Sequence, residues 1–204
     1  MHTIIQTFIT GLLCLALLTG CGVTKPSRYY LLTPVEDHDA GVASTPVPVL
    51  GIGPVAFPAY LDRSEIVLRS GSNEINYASS HRWAAPLKTA FVHTLSENLS
   101  IMLPTDRTMI HPWPRSTQLD YQVIVNVTRF DAAADGMVIL AAGWQLIRSA
   151  DNTVIKSNKM SYTEAAGSTD YQAVVAAQSR AVEQLSQDIA ATISRAETNA
   201  DLPR

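Results

Sequence analysis

Apolar and polar residues alternate with a period of two over residues 121–130, placing Tyr121, Val123, Val125 and Val127 on one face. That period predicts a half-buried strand. Residues 137–148 repeat it, with Leu140, Ala142, Trp144 and Leu146 in phase. Asp135-Gly136 and Asp151-Asn152 are turn signals on either side. A third run, 154–164, is polar at Lys156, Asn158 and Lys159 and reads as an edge or solvated strand. Together these runs predict a three-stranded antiparallel meander. Upstream, Leu87, Phe91, Leu95, Leu99 and Met102 recur at helical spacing and predict a helix that opens near Ala84 or Pro86 and stops at Pro104. A second, longer helix is predicted over 170–196, with an apolar stripe of Val175, Val182, Leu185, Ile189 and Ile193 among small alanines. Thr169 and Gln172 have the spacing of a capping box at its start.

Shorter elements complete the pattern. Tyr29-Tyr30-Leu31-Leu32 reads as a first strand, and residues 34–48 as an exposed loop. Residues 49–55 read as a second strand, whose Gly51 and Gly53 favour a bulge or a close backbone approach. Runs 65–69 and 74–78 flank Ser70-Gly71-Ser72-Asn73 as a hairpin, and 108–110 is a short strand. The order strands, helix, strands, helix predicts an α+β fold: a largely antiparallel sheet with two long helices packed on one face. The two halves run in similar order, which leaves a structural duplication open, although no sequence repeat shows one.

The amino-terminal pattern is different in kind. Ile4 to Leu18 is uncharged and apolar for about fifteen residues, a length suited to a signal-peptide core and short of the roughly 20 residues needed to span a bilayer. It ends in Leu18-Thr19-Gly20-Cys21, which resembles a bacterial lipobox. Only the amino terminus and His2 could supply positive charge before it. The alternatives are an ordinary cleaved signal, or a buried apolar helix with an incidental cysteine. On the lipobox reading, residues 1–20 are a lipoprotein signal peptide and Cys21 carries the lipid. Residues 21–28 are then a tether, 29–196 a single domain, and 197–204 a flexible tail. From Cys21 to Tyr29 the chain spans at most about 28 Å, so the domain is expected close to its membrane.

Composition narrows the function. The formal net charge is −3 with charges scattered, which gives no electrostatic footprint for nucleic acid. The chain has two cysteines, Cys14 and Cys21. Cys14 lies in the signal and Cys21 would be acylated, so no thiol remains for a disulfide, a redox motif or a thiolate metal site. Gly-x-Ser-x-Gly, Ser-x-x-Lys, His-Glu-x-x-His and phosphate-loop patterns are all missing. His93 and Glu97 read as a solvated pair one helical turn apart. Trp83, in His81-Arg82-Trp83, reads as a core anchor where the first helix begins. Asp62, Asp131 and Asp135 sit in or near expected turns, with nothing in sequence to pair them. The expectation is a protein without enzymatic activity, metal or cofactor.

Several segments, in order, resemble one family. After the lipobox stand Ser27-Arg28-Tyr29-Tyr30-Leu31-Leu32, then Gly51-Ile52-Gly53-Pro54-Val55 and Pro58-Ala59-Tyr60-Leu61-Asp62-Arg63. His81-Arg82-Trp83 with Pro86-Leu87, Arg129-Phe130-Asp131, Trp144, and Asp170-Tyr171 leading into Gln184-Leu185-Ser186-Gln187-Asp188-Ile189-Ala190 complete the set. Together they resemble the PqiC/YmbA family, auxiliary lipoproteins of ABC-type and MCE-type lipid transport systems. The resemblance implies a non-enzymatic periplasmic subunit held at the outer membrane by the lipid on Cys21. Gly22 rather than Asp after the cysteine is consistent with that membrane. It further implies an MCE-domain partner of the PqiB type, a ring-like homo-oligomer that docks on it, and a contribution to membrane integrity. Competing readings are a periplasmic carrier that binds lipid in an apolar groove between helices and sheet, and a periplasmic hydrolase with an unfamiliar site.

Overall fold

The computed structural model describes residues 26–36, 48–103 and 105–200. Cys21 and the signal segment lie outside them, as does most of the 34–48 loop. Ten elements follow in order: β1 (Arg28–Tyr30), β2 (Leu50–Ala56), β3 (Glu65–Arg69), β4 (Ile75–Trp83), α1 (Leu87–Met102), β5 (Thr108–Ile110), β6 (Tyr121–Ala133), β7 (Met137–Arg148), β8 (Thr153–Ala165) and α2 (Tyr171–Ala200). A 3₁₀ turn, Ala59–Leu61, follows β2.

The alternating runs form the expected meander, with β6 antiparallel to β7 and β7 to β8. These are the longest ladders, and they make the eight-stranded sheet mostly antiparallel. The other edge of β6 is shared. Its first half pairs with β2 and its last residues with β3, both parallel. β5 extends the sheet beyond β2, while β4 and then β1 extend it beyond β3. β1–β4 and β2–β5 are parallel as well, and only β3–β4 is the expected hairpin. The halves are not built alike. β6, β7 and β8 are a continuous meander, whereas β2 pairs with β5 and β6 and not with β3.

Both helices lie on one face. Phe91, Leu95 and Leu99 of α1 and Val182, Leu185, Ile189 and Ile193 of α2 are fully buried. They meet Val123, Val125, Phe130, Leu140 and Trp144 from the sheet in one continuous core. β8 is an edge strand paired only with β7, as its polar sequence suggests. Asn158 lies opposite Trp144 and Lys159 opposite Gly143, so the two project to opposite faces rather than one.

The first residues of α2 differ from the capping box. Asp170 is the cap: its Oδ2 accepts the Gln172 amide at 3.1 Å and its carbonyl accepts that of Val174 at 2.9 Å. At the other end the helix runs past Ala196 to Ala200.

A register shift in β6 decides where the site lies. Tyr121, Val123, Val125 and Val127 face the helices, and the register then slips between Val127 and Arg129. Beyond the slip it is Phe130 and Ala132 that continue the buried face, opposite Leu140 and Val138. A one-residue slip exchanges the faces of everything after it. Without it, Asp131 would follow Val127 into the apolar core.

Candidate functional site

Asp131 is the most buried charged side chain of the fold, with no exposed surface. It lies within β6, which continues to Ala133 before the turn closed by the Gly136 amide on the Ala133 carbonyl. Its carboxylate accepts from Arg69 Nη2 at 2.9 Å and from Arg129 Nε at 2.8 Å. Arg69 Nε lies 3.2 Å from both its oxygens, and the Tyr60 hydroxyl donates to Oδ2 at 3.1 Å. An anion this buried persists only with charged donors around it. Burial first, then the Asp131 charge, holds the Tyr60 hydroxyl above its usual range, while the Asp131 hydrogen bonds hold the Arg69 guanidinium more firmly protonated. The knot joins β6 to the last residue of β3 and to the 3₁₀ turn.

A second cluster forms where the chain enters the domain. β1 hydrogen-bonds along β4, with Arg28 opposite His81 and Tyr30 opposite Trp83. The Tyr30 hydroxyl lies 2.7 Å from His81 Nδ1, and the His81 ring stacks on Tyr171 at 3.8 Å between centroids. Tyr171 is the first residue of α2, so three elements far apart in sequence are joined. Burial and the nearby Tyr30 raise the Tyr171 hydroxyl pKa. Tyr29 and Leu31 stay 64% and 55% exposed beside this cluster, so β1 and the residue after it present apolar surface to their surroundings.

Between the clusters is a shallow groove of 300 Å³ bordered by Asp62, Arg63, Ser64, Trp83 and Pro86. Trp83 is 5% exposed and anchors the core as expected. Its amide donates to the Ser64 carbonyl at 2.7 Å, and the Ala84 amide to that of Tyr30 at 2.9 Å. Of the other residues singled out, Asp62 closes the 3₁₀ turn, and Asp135 Oδ1 accepts the Met137 amide in the β6–β7 turn at 3.0 Å. Asp62, Asp131 and Asp135 therefore do not form one site. His93 and Glu97 are both exposed on α1. Among the described residues, no group of three or more His, Cys, Asp and Glu side chains is placed to hold a metal, and no helix is long and apolar enough to cross a membrane.

No local pattern in the sequence links Arg69 and Tyr60 to Asp131. The signal available was an acidic residue between Phe130 and Ala132, two residues after Arg129, where the alternation of β6 breaks. The bonds from β8 to α2 have no local signal either: the Tyr162 hydroxyl to Asp188 at 2.7 Å, and Arg180 Nε to Glu164 at 2.8 Å.

Fold and site together define an α+β domain whose buried polar groups bind its own segments to one another. Two solved structures share this fold. An uncharacterised protein aligns with TM-score 0.69 and 23% identity, over 83% of this chain and 99% of its own. A protein from Xanthomonas campestris aligns with TM-score 0.63 and 18% identity, over 84% and 99%. The chain belongs to the family of ABC-type transport auxiliary lipoprotein components, which it matches over residues 30–190. The intermembrane transport lipoprotein PqiC of Escherichia coli (strain K12) is 30% identical over 130 residues, which are 63% of this chain and 68% of that protein. PqiC of Shigella flexneri matches to the same extent. This is the family that the ordered segments resemble.

Proposed function

We propose that this protein is a lipid-anchored, non-enzymatic subunit of an MCE-type intermembrane lipid transport system. It docks the transporter at the periplasmic face of the outer membrane and so supports membrane integrity. One observation carries the reading: the family match begins at Tyr30 and spans nearly the whole folded domain. The segments behind the sequence resemblance also meet in space. Tyr30, His81 and Tyr171 stack, while Tyr60 and Arg129 share Asp131. On this reading Cys21 holds the lipid, and β1 transmits the anchor to the sheet. The partner is an MCE-domain protein of the PqiB type, and the assembly is a ring of copies of this chain. The test is affinity capture of the tagged lipoprotein from cross-linked membranes. Recovery of an MCE-domain protein supports the reading, and its absence with full recovery of bait refutes it.

The carrier reading draws less support. The apolar stripes of the two helices pack into the core rather than lining a groove. The hydrolase reading has no constellation of nucleophile and base behind it among the described residues.

A further inference from the structure

The Gly51-Ile52-Gly53-Pro54-Val55 segment and the 111–119 loop have no part in the clusters described above. They build a separate cleft of 420 Å³ between the first half of α1 and the end of β2. Its floor is apolar: Ile52, Val55 and Val92 are buried and Ile110 half-buried. Its rim carries three basic side chains, Lys88, His93 and His111, all exposed. No acidic residue lines it, although the chain as a whole is acidic. The single acidic residue of α1, Glu97, lines the adjoining groove against residues 31–34, which shares Thr89 and His93 with the cleft. Lys88 and His93 make no hydrogen bond or ion pair with any described residue.

The glycines position the third basic group. Gly53 has φ +120°, and a Cβ there would lie 2.8 Å from the Cβ of His111. A Cβ on Gly51 would lie 2.5 Å from Leu119 Cδ1 and 2.9 Å from the Trp113 ring. Gly53 needs glycine for its positive φ, and at Gly51 a side chain would displace Leu119 and Trp113 where the 111–119 loop folds over β2. The loop is then pinned. The His111 amide donates to the Ile52 carbonyl at 3.0 Å, and β2 itself is held from β6, where Gln122 Nε2 donates to the Gly53 carbonyl at 2.9 Å. Trp113 meets the His111 ring edge to face at 5.1 Å and sets its orientation.

From this geometry we infer that the cleft binds the phosphate-bearing head of an anionic amphiphile. Lys88, His93 and His111 hold the phosphate, and the first methylenes lie on Ile52, Val55, Val92 and Ile110. The cleft volume lies within the roughly 300–1,000 Å³ of small-molecule sites. A basic rim around an apolar floor matches a molecule that is anionic at one end and apolar beyond it. This site is independent of the docking role, since a subunit can capture a transporter without touching its cargo.

The test uses the full chain in phosphatidylcholine nanodiscs, with empty nanodiscs as the baseline. Three soluble probes are titrated while the imidazole proton signals of His93 and His111 are followed by NMR. Decyl phosphate should move both signals along one saturable curve. Inorganic phosphate should bind at least about tenfold more weakly, and decyl maltoside should move neither signal. Lys88→Gln should weaken decyl phosphate by about fivefold to tenfold with an unchanged urea midpoint, because Lys88 is exposed and unpaired. Equal binding of inorganic phosphate makes this a free-phosphate site and overturns the inference. So do equal binding of decyl maltoside, absence of saturation, or indifference to Lys88→Gln.

Discussion

Replacing Asp131 by alanine isolates the contribution of the buried knot to the fold. The carboxylate is fully buried, while the Arg69 and Arg129 side chains are 17% and 30% exposed. Hydrogen bonds to charged groups contribute about 1.5–3 kcal/mol each. Arg69, Arg129 and Tyr60, taken as one such bond each, therefore supply a gross of about 4.5–9 kcal/mol. Much of that offsets the cost of taking the carboxylate out of water. What the variant loses is set by the two guanidinium groups left without their anion, about 3–5 kcal/mol when such groups are buried. Both arginines reach solvent in part, so the loss should sit at the low end, near 3 kcal/mol. In urea, with a slope of about 2 kcal/mol per molar, the unfolding midpoint should fall by about 1.5 M at unchanged slope. Tyr60→Phe removes one donor and leaves the ion pairs, so it should cost only about 1.5 kcal/mol, the low end for a bond to a charged group. If Asp131→Ala shifts stability by less than about 1 kcal/mol, the knot behaves as a hydrated surface pair. Its role in joining β3, β6 and the 3₁₀ turn would then be wrong.

Further outcomes follow from other parts of the molecule. Cys21→Ala should move the protein from the membrane fraction to the soluble periplasm, as fractionation and immunoblotting would show; continued sedimentation with membranes would sink the anchoring role. Gly51→Ala should destabilise by about 1–3 kcal/mol, because its Cβ collides with Leu119 and Trp113; an unchanged melting temperature would contradict the close approach of the loop. Burial, aided by Glu197, pushes the Tyr121 hydroxyl up from 10.0 to about 12. A raised folded-state pKa gives stability that is complete below the unfolded value and lost as pH rises through the folded one. Melting temperature should therefore drop between about pH 10 and 12, and Tyr121→Phe should flatten the drop; a parallel decline in both proteins would be the contrary result. Leu185→Ala, at a fully buried position where α2 meets the sheet, should cost about 2–5 kcal/mol by calorimetry, and a cost below about 1 kcal/mol would show that α2 is not part of the cooperative core.

Sequence by itself determined the elements and their layering. Strict alternation in β6 and β7 and helical spacing in α1 and α2 are local records of which face is buried, and burial dominates the energetics of such elements. It also located the bulge in β2, through Gly51 and Gly53. The tertiary structure alone decided the partners. Nothing in the strand sequences distinguishes parallel from antiparallel pairing for β1, β2 and β3, because both ladders accept the same short apolar runs. Asp131 shows the reason most plainly. Its neighbours in sequence do not reveal that a one-residue slip after Val127 turns it away from the core and under Arg69 and Tyr60. The same holds for His111, which meets Gly53 and the face of α1 only after β5 has paired with β2. Long-range contacts are products of chain topology, and periodicity carries information only about a residue's own face.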